Sequence, residues 1–163
     1  MTTALMLLLG IVLTAGTFVF VSAEFSLVAV DQAVLDKKAE EGDRGAASVL
    51  RATRSLSTQL SGAQVGITLT TILLGYTTQS ALADLLKDLL GSVGLAWGLA
   101  TGIAAFVAAA FINVFSMLFG ELVPKNLALA HPLATAVRVV PFQMVFTAIA
   151  RPIIWVLGGT ANW

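Results

Sequence analysis

Asn113, Ser116 and Gly120 recur at i, i+3 and i+7 in the stretch INVFSMLFGELVPKN. That spacing lines them up on one face of a helix otherwise made of Phe, Ile, Val, Met and Leu. Glu121 follows directly, and Pro124 and Lys125 close the motif. A proline has no N–H to give to the carbonyl four residues back, so Pro124 frees the Gly120 carbonyl on the polar face. An ionisable residue in an apolar span is costly and marks an ion or proton pathway. The set offers hydroxyl, amide, carbonyl and carboxylate oxygen, and no sulfur, because the chain has no cysteine. Oxygen donors with few formal charges suit a hard divalent cation that keeps some of its water, Mg²⁺ above all. The alternative for Glu121 is structural: Lys125, four residues on, stands in the favourable order for an ion pair.

Further oxygen donors sit in two other apolar stretches. In VSAEFS, Ser22 and Ser26 are four apart and share a helical face, while Glu24 is turned about 200° from Ser22. The serines can look at one site and Glu24 looks elsewhere; equally, each serine can bond a carbonyl of its own helix. The stretch SLSTQLSGAQVGITLTT carries Gln59, Ser61, Gln64, Thr68, Thr70 and Thr71, with Gly62 and Gly66 at close-packing spacing. Its hydroxyls either line a polar cavity or bond between helices. Glu24, Thr68, Pro124 and Lys125 form the expected supporting set. His131, the one histidine, precedes Pro132 outside these stretches and reads as interfacial rather than as a ligand. No H-E-x-x-H or G-x-S-x-G motif occurs and no nucleophile is matched to a histidine, so the chain is not expected to be an enzyme.

The elements that carry these residues belong in a membrane. Hydrophobic residues make up 58% of the 163 positions and charged ones 11%, a balance far from that of soluble domains. The formal net charge is zero, which gives no basic surface for nucleic acid. Three apolar segments, about residues 4–30, 60–82 and 95–118, match the roughly 20 residues of a span. The first lacks the basic flank of a signal peptide and reads as a retained helix. The loop at 31–58, charged and helix-friendly, holds Lys37, Lys38, Arg44, Arg51 and Arg54 of the nine basic residues, whereas the next loop holds only Lys87. The positive-inside bias therefore puts the first loop and the C-terminal side in the cytoplasm and the N-terminus outside.

Residues 131–157 contain Pro132, Pro141 and Pro152 with Arg138 and Arg151. Crossing there would cost about 2.5 kcal/mol or more for Arg151 alone, so helices lying in the inner interface are expected, with Phe142, Phe146 and Trp155 inward. The chain ends in GGTANW without a folded cytoplasmic module, as one domain of a longer protein would. The expected fold is an all-α membrane protein: three transmembrane helices plus juxtamembrane, interfacial helices. Gly98 and Gly102 offer a close-packing face for a homodimer.

Together, VSAEFSLVAV, QVGITLTTILLG and FGELVPKNLAL make the chain resemble the membrane domain of the CNNM/CorC magnesium transporters, the DUF21 domain. The strongest element is G-E-x-x-P-K, here Gly120, Glu121, Pro124 and Lys125. The resemblance implies a homodimer of three-span subunits in the plasma membrane that exports Mg²⁺, with Na⁺ as the exchanged ion. It implies a metal site between the first and third helices at Ser22, Ser26, Asn113, Ser116, Gly120 and Glu121. It also implies a nucleotide-binding CBS-pair module as cytoplasmic partner, which this chain does not include. Gln79 and Thr71 depart from the family pattern, where an acidic residue and an asparagine are common; this puts a role for the second helix's outer end in question. The competing reading is a dimeric membrane anchor or sensor whose polar residues serve packing.

Overall fold

A computed structural model describes residues 2–161, with side chains placed for residues 3–156. The first apolar segment forms one unbroken helix, α1 (Thr2–Ala29). Asp31 then starts α2 (Gln32–Glu40), its carboxylate accepting from the amides of Ala33 at 2.8 Å and Val34 at 3.2 Å. Asp43 repeats the device for α3 (Arg44–Thr53), accepting from Gly45 and Ala46. These caps satisfy amides that a helix start leaves orphaned. Between them the chain reverses at Gly42, whose φ of +93° suits a residue without a side chain. Leu35, Ala46, Val49 and Ala52 from this pair bury against Leu27 and Val30 of α1 and against Ala136 and Val140 further on. Burying Leu35 and Val49 completely stabilises this contact by about 1.5–3 kcal/mol each.

Helix α4 (Leu56–Leu74) runs antiparallel to α1. Phe20 lies on Gly66, the Thr17 and Thr70 hydroxyls meet at 2.7 Å, Leu13 packs with Leu74, and Thr78 donates to the Met6 carbonyl at 3.0 Å. A first π-turn (Gly75–Gln79) passes the helix into α5 (Ser80–Ser92). The chain turns at Gly94, φ +90°, and returns as α6 (Trp97–Phe115), whose small face of Ala100, Ala104 and Ala108 is buried. A second π-turn (Ser116–Leu122) and α7 (Val123–Ala130) continue it. This rod runs parallel to α1: Ile112 meets Leu13, Gly120 meets Thr17 and Lys125 meets Phe25. Two parallel helices in sequence require a return path between them, and α4 with its π-turn runs back along α1.

Among the described residues, three helices are long and apolar enough to cross a membrane: Thr3–Ala29, Trp97–Ala130 and Pro132–Val156. The α4 segment is not one of them, since its threonines and glutamines dilute its apolar character, yet it lies alongside α1. The third apolar segment extends past residue 118 to Ala130.

The largest difference from the sequence reading is α8 (Pro132–Ala161), which is one continuous helix rather than several broken by proline. Pro141 and Pro152 lie inside it with their rings exposed, while Ala136, Val140, Gln143, Thr147, Ala150 and Ile154 form the buried face. Each proline removes one backbone bond on the open side and leaves the packed face intact. That face lies on α1 and α4. Phe146 packs on Phe20 at 4.6 Å between ring centroids, and Gln143 Nε2 donates to the Gln59 carbonyl and to Thr147 Oγ1, both at 3.0 Å. Trp155 is turned outward and exposed. The helical backbone of the terminal GGTANW ends at Ala161, and its last two residues lie outside the described ones.

Candidate functional site

Glu121 opens onto a cavity of about 380 Å³ between α1, α4 and the second π-turn. Its polar lining is Thr17, Glu24, Thr71, Asn113, Ser116 and Glu121; Val21, Phe25, Ile67 and Met117 complete the wall. Asn113 Nδ2 donates to the Ala109 carbonyl at 2.8 Å, which holds the amide and leaves its oxygen as the free acceptor. Gly120 is buried beside this wall, where a Cβ would come 3.3 Å from Thr17 and 3.5 Å from Ser116 Oγ. Glycine there lets α1 and the π-turn close up.

The π-turn changes which backbone oxygen is free. Val123 N–H bonds to the Leu118 carbonyl, five residues back, so the Phe119 carbonyl loses its usual donor. The next amide belongs to Pro124, which has none to give to either Phe119 or Gly120. The sequence pointed to the Gly120 carbonyl alone; Phe119 joins it. π-Turns within α-helices occur mostly where function needs a distorted backbone.

Lys125 does not pair with Glu121. Its Nζ lies over the Phe25 ring, 4.8 Å from the centroid, and the ion pair found among the described residues is Lys87 with Asp84 at 3.7 Å. Glu121 thus has its carboxyl group open to the cavity. Glu24 faces the same cavity, with the Gln64 side chain beside its carboxylate. Glu24 and Glu121 both line the cavity and no cationic side chain does, so its carboxylate oxygens are open to a cation. Six waters occupy about 180 Å³ at about 30 Å³ each, so the cavity has room for a cation that retains hydration. No group of three His, Cys, Asp or Glu side chains able to hold a metal occurs among the described residues, so neutral oxygens must complete any coordination.

The six residues of the expected metal set do not all converge. Asn113, Ser116 and Glu121 share the cavity, and Gly120 lies just behind it. Ser26 is fully buried and donates to the Ala23 carbonyl of its own helix at 3.3 Å. Ser22 is fully buried without a hydrogen-bond partner and lines a different cavity against α7 and α8. Of the supporting residues, Pro124 is buried in the first turn of α7 and Thr68 is exposed away from the cavity. Thr17 was missed. It precedes Glu24 by seven residues, a spacing that sets both on one face of α1.

The Cyclin M transmembrane N-terminal domain family matches this chain over residues 8–163. The chain belongs to the CNNM family. The UPF0053 protein MT1890 of Mycobacterium tuberculosis is 44% identical to this CNNM domain over 93% of the chain and 33% of its own length. The UPF0053 protein YhdP of Bacillus subtilis is 34% identical over 96% of the chain and 35% of its own length. A second Bacillus subtilis protein, YhdT, is 31% identical over 96% and 34% respectively. The CNNM domain described here therefore spans about a third of the length of these relatives, and it is an integral membrane domain of their family.

Proposed function

We propose that this CNNM domain carries Mg²⁺ across the membrane without chemical turnover, through the cavity that Glu24, Asn113, Ser116 and Glu121 share. The observation that supports this reading most is the pair of carboxylates facing one cavity while Lys125 is engaged by Phe25 instead. The donors are all oxygen, and the π-turn with Pro124 adds backbone carbonyls at the same level. Hard cations prefer such donors, and unwound backbone beside a cavity is a recurring ion-binding device in membrane transporters. Ser22 and Ser26, both on α1, reach the ion only if α1 rotates against α7, which would accompany a change of access.

In this proposal the domain works as a homodimer in the plasma membrane, with α2 and α3 in the cytoplasm and the N-terminus outside. Mg²⁺ leaves the cell and Na⁺ enters in exchange. A CBS-pair module of the longer protein is the cytoplasmic partner. Proteoliposomes loaded with Mg²⁺ test this: the purified chain should release Mg²⁺ faster than protein-free vesicles, and an opposing Na⁺ gradient should accelerate release. Release at the protein-free rate under every gradient would establish the anchor reading.

A further inference from the structure

On the far side of α1 from the carboxylate cavity, a second cavity of about 420 Å³ opens between α1, α7 and α8. Phe18, Leu127 and Val139 give it an apolar wall, and His131 and Arg138 line it as well. An adjoining cavity of about 550 Å³ shares His131, Ala134 and Arg138 with it and adds Lys38 from α2 and Asp43. The two make one cleft, apolar at one end and basic at the other. The end lined by Lys38 and Arg138 lies where α2 and α3 sit.

Two further features point to an anion at the basic end. Neither Lys38 nor Arg138 is in an ion pair, the pair found among the described residues being Lys87 with Asp84. Asp43, the carboxylate on the wall, accepts from Gly45 and Ala46 through Oδ1 alone, and its charge offsets part of that of Lys38 and Arg138. Helix α8 also begins here: the Thr135 amide makes its first bond, to the His131 carbonyl at 3.0 Å, so the amides of Leu133 and Ala134 remain as donors. Deeper in the cleft, Ser22 Oγ is fully buried without a partner, a hydroxyl available to a second, less polar acceptor.

We infer that this cleft binds an anionic phospholipid, its phosphate between Lys38, Arg138 and the start of α8 and its acyl chain along Phe18, Leu127 and Val139. Ser22 then meets an ester carbonyl below the phosphate. Basic pockets between membrane helices take acidic headgroups for the same electrostatic reason. A free phosphate would use the basic end alone and leave the apolar groove and Ser22 unoccupied.

The test is native mass spectrometry of the purified chain titrated with phosphatidylglycerol or phosphatidylcholine. The parent should retain phosphatidylglycerol with roughly a tenfold preference, from two unpaired basic side chains at the headgroup. Arg138→Gln combined with Lys38→Gln should bring the preference close to one; both side chains are exposed, so the fold should persist. Val139→Trp should displace the bound phosphatidylglycerol while leaving every charge in place. Equal retention of both lipids by the parent would overturn the inference, as would an undiminished preference in the double variant. Displacement by glycerol phosphate as effective as by phosphatidylglycerol, or an unchanged Val139→Trp, would reassign the cleft to a free phosphate.

Discussion

Replacing Gly66 with alanine should strain the junction that aligns α1, α4 and α8. An alanine Cβ there would lie 2.7 Å from three atoms of the Phe20 ring. Ordinary carbon contacts are about 3.5–4.0 Å, so the ring must retreat by about 1 Å. Phe20 has no free side to retreat to, being 4% exposed and packed on Phe146 at 4.6 Å and Phe142 at 5.9 Å. Overpacking of this kind costs about 1–3 kcal/mol, and a disturbed aromatic pair about 0.5–1.5 kcal/mol. Alanine returns about 1 kcal/mol through helix propensity. The net loss of about 0.5–3.5 kcal/mol corresponds to a fall in Tm of roughly 1–14 °C for a chain of this size. Thermal unfolding of the purified chain in mild detergent, followed by loss of the monodisperse peak, measures it. Adding Phe20→Leu to Gly66→Ala should restore at least half of the loss, because the smaller side chain yields the space. An unchanged Tm in Gly66→Ala, or a further fall on adding Phe20→Leu, would refute the packing described.

Three other substitutions separate neighbouring claims. Gly102 has nothing within 4 Å of an added Cβ, so Gly102→Ala should leave protomer stability unchanged or slightly raised; a loss of dimer in mass analysis at the same time would place the dimer seam on α6. Pro124→Ala restores an amide beneath the second π-turn and should weaken Mg²⁺ binding, read by calorimetry, without preventing insertion. Lys125→Met removes a cation–π contact worth about 0.5–2 kcal/mol and should lower Tm by less than Gly66→Ala does; with no ion pair to break, Mg²⁺ flux should survive it.

Much of this was legible in the sequence because apolar helices repeat at a fixed period. Asn113, Ser116 and Glu121 do face one cavity, and α1 carries Glu24 on a different side from Ser22, as the helical angle requires. What the angle could not say is that Glu24's side is the one that meets Glu121, since that depends on how α1 is rotated against its neighbours. The second π-turn was also hidden. It widens the helix locally through backbone bonding, shifts Gly120 behind the cavity wall and frees the Phe119 carbonyl, none of which follows from residue types. The unbroken course of α8 was not legible either, because what Pro141, Arg151 and Pro152 cost depends on which face of the helix meets its neighbours. In the bundle all three fall on its exposed side, and Gln143 and Thr147 anchor the opposite one.

Glu121→Gln carries the central claim, since it preserves size and removes the charge that the cavity would present to the ion. Mg²⁺ release from proteoliposomes should be abolished by Glu121→Gln and only reduced by Asn113→Ala, whose lost neutral oxygen a water can partly replace. Acidifying the medium should weaken Mg²⁺ binding by the parent in the same direction, because ligand carboxylates must be ionised. Parent-like Mg²⁺ release by Glu121→Gln, with Asn113→Ala inactive, would contradict the account and leave the site to neutral oxygens.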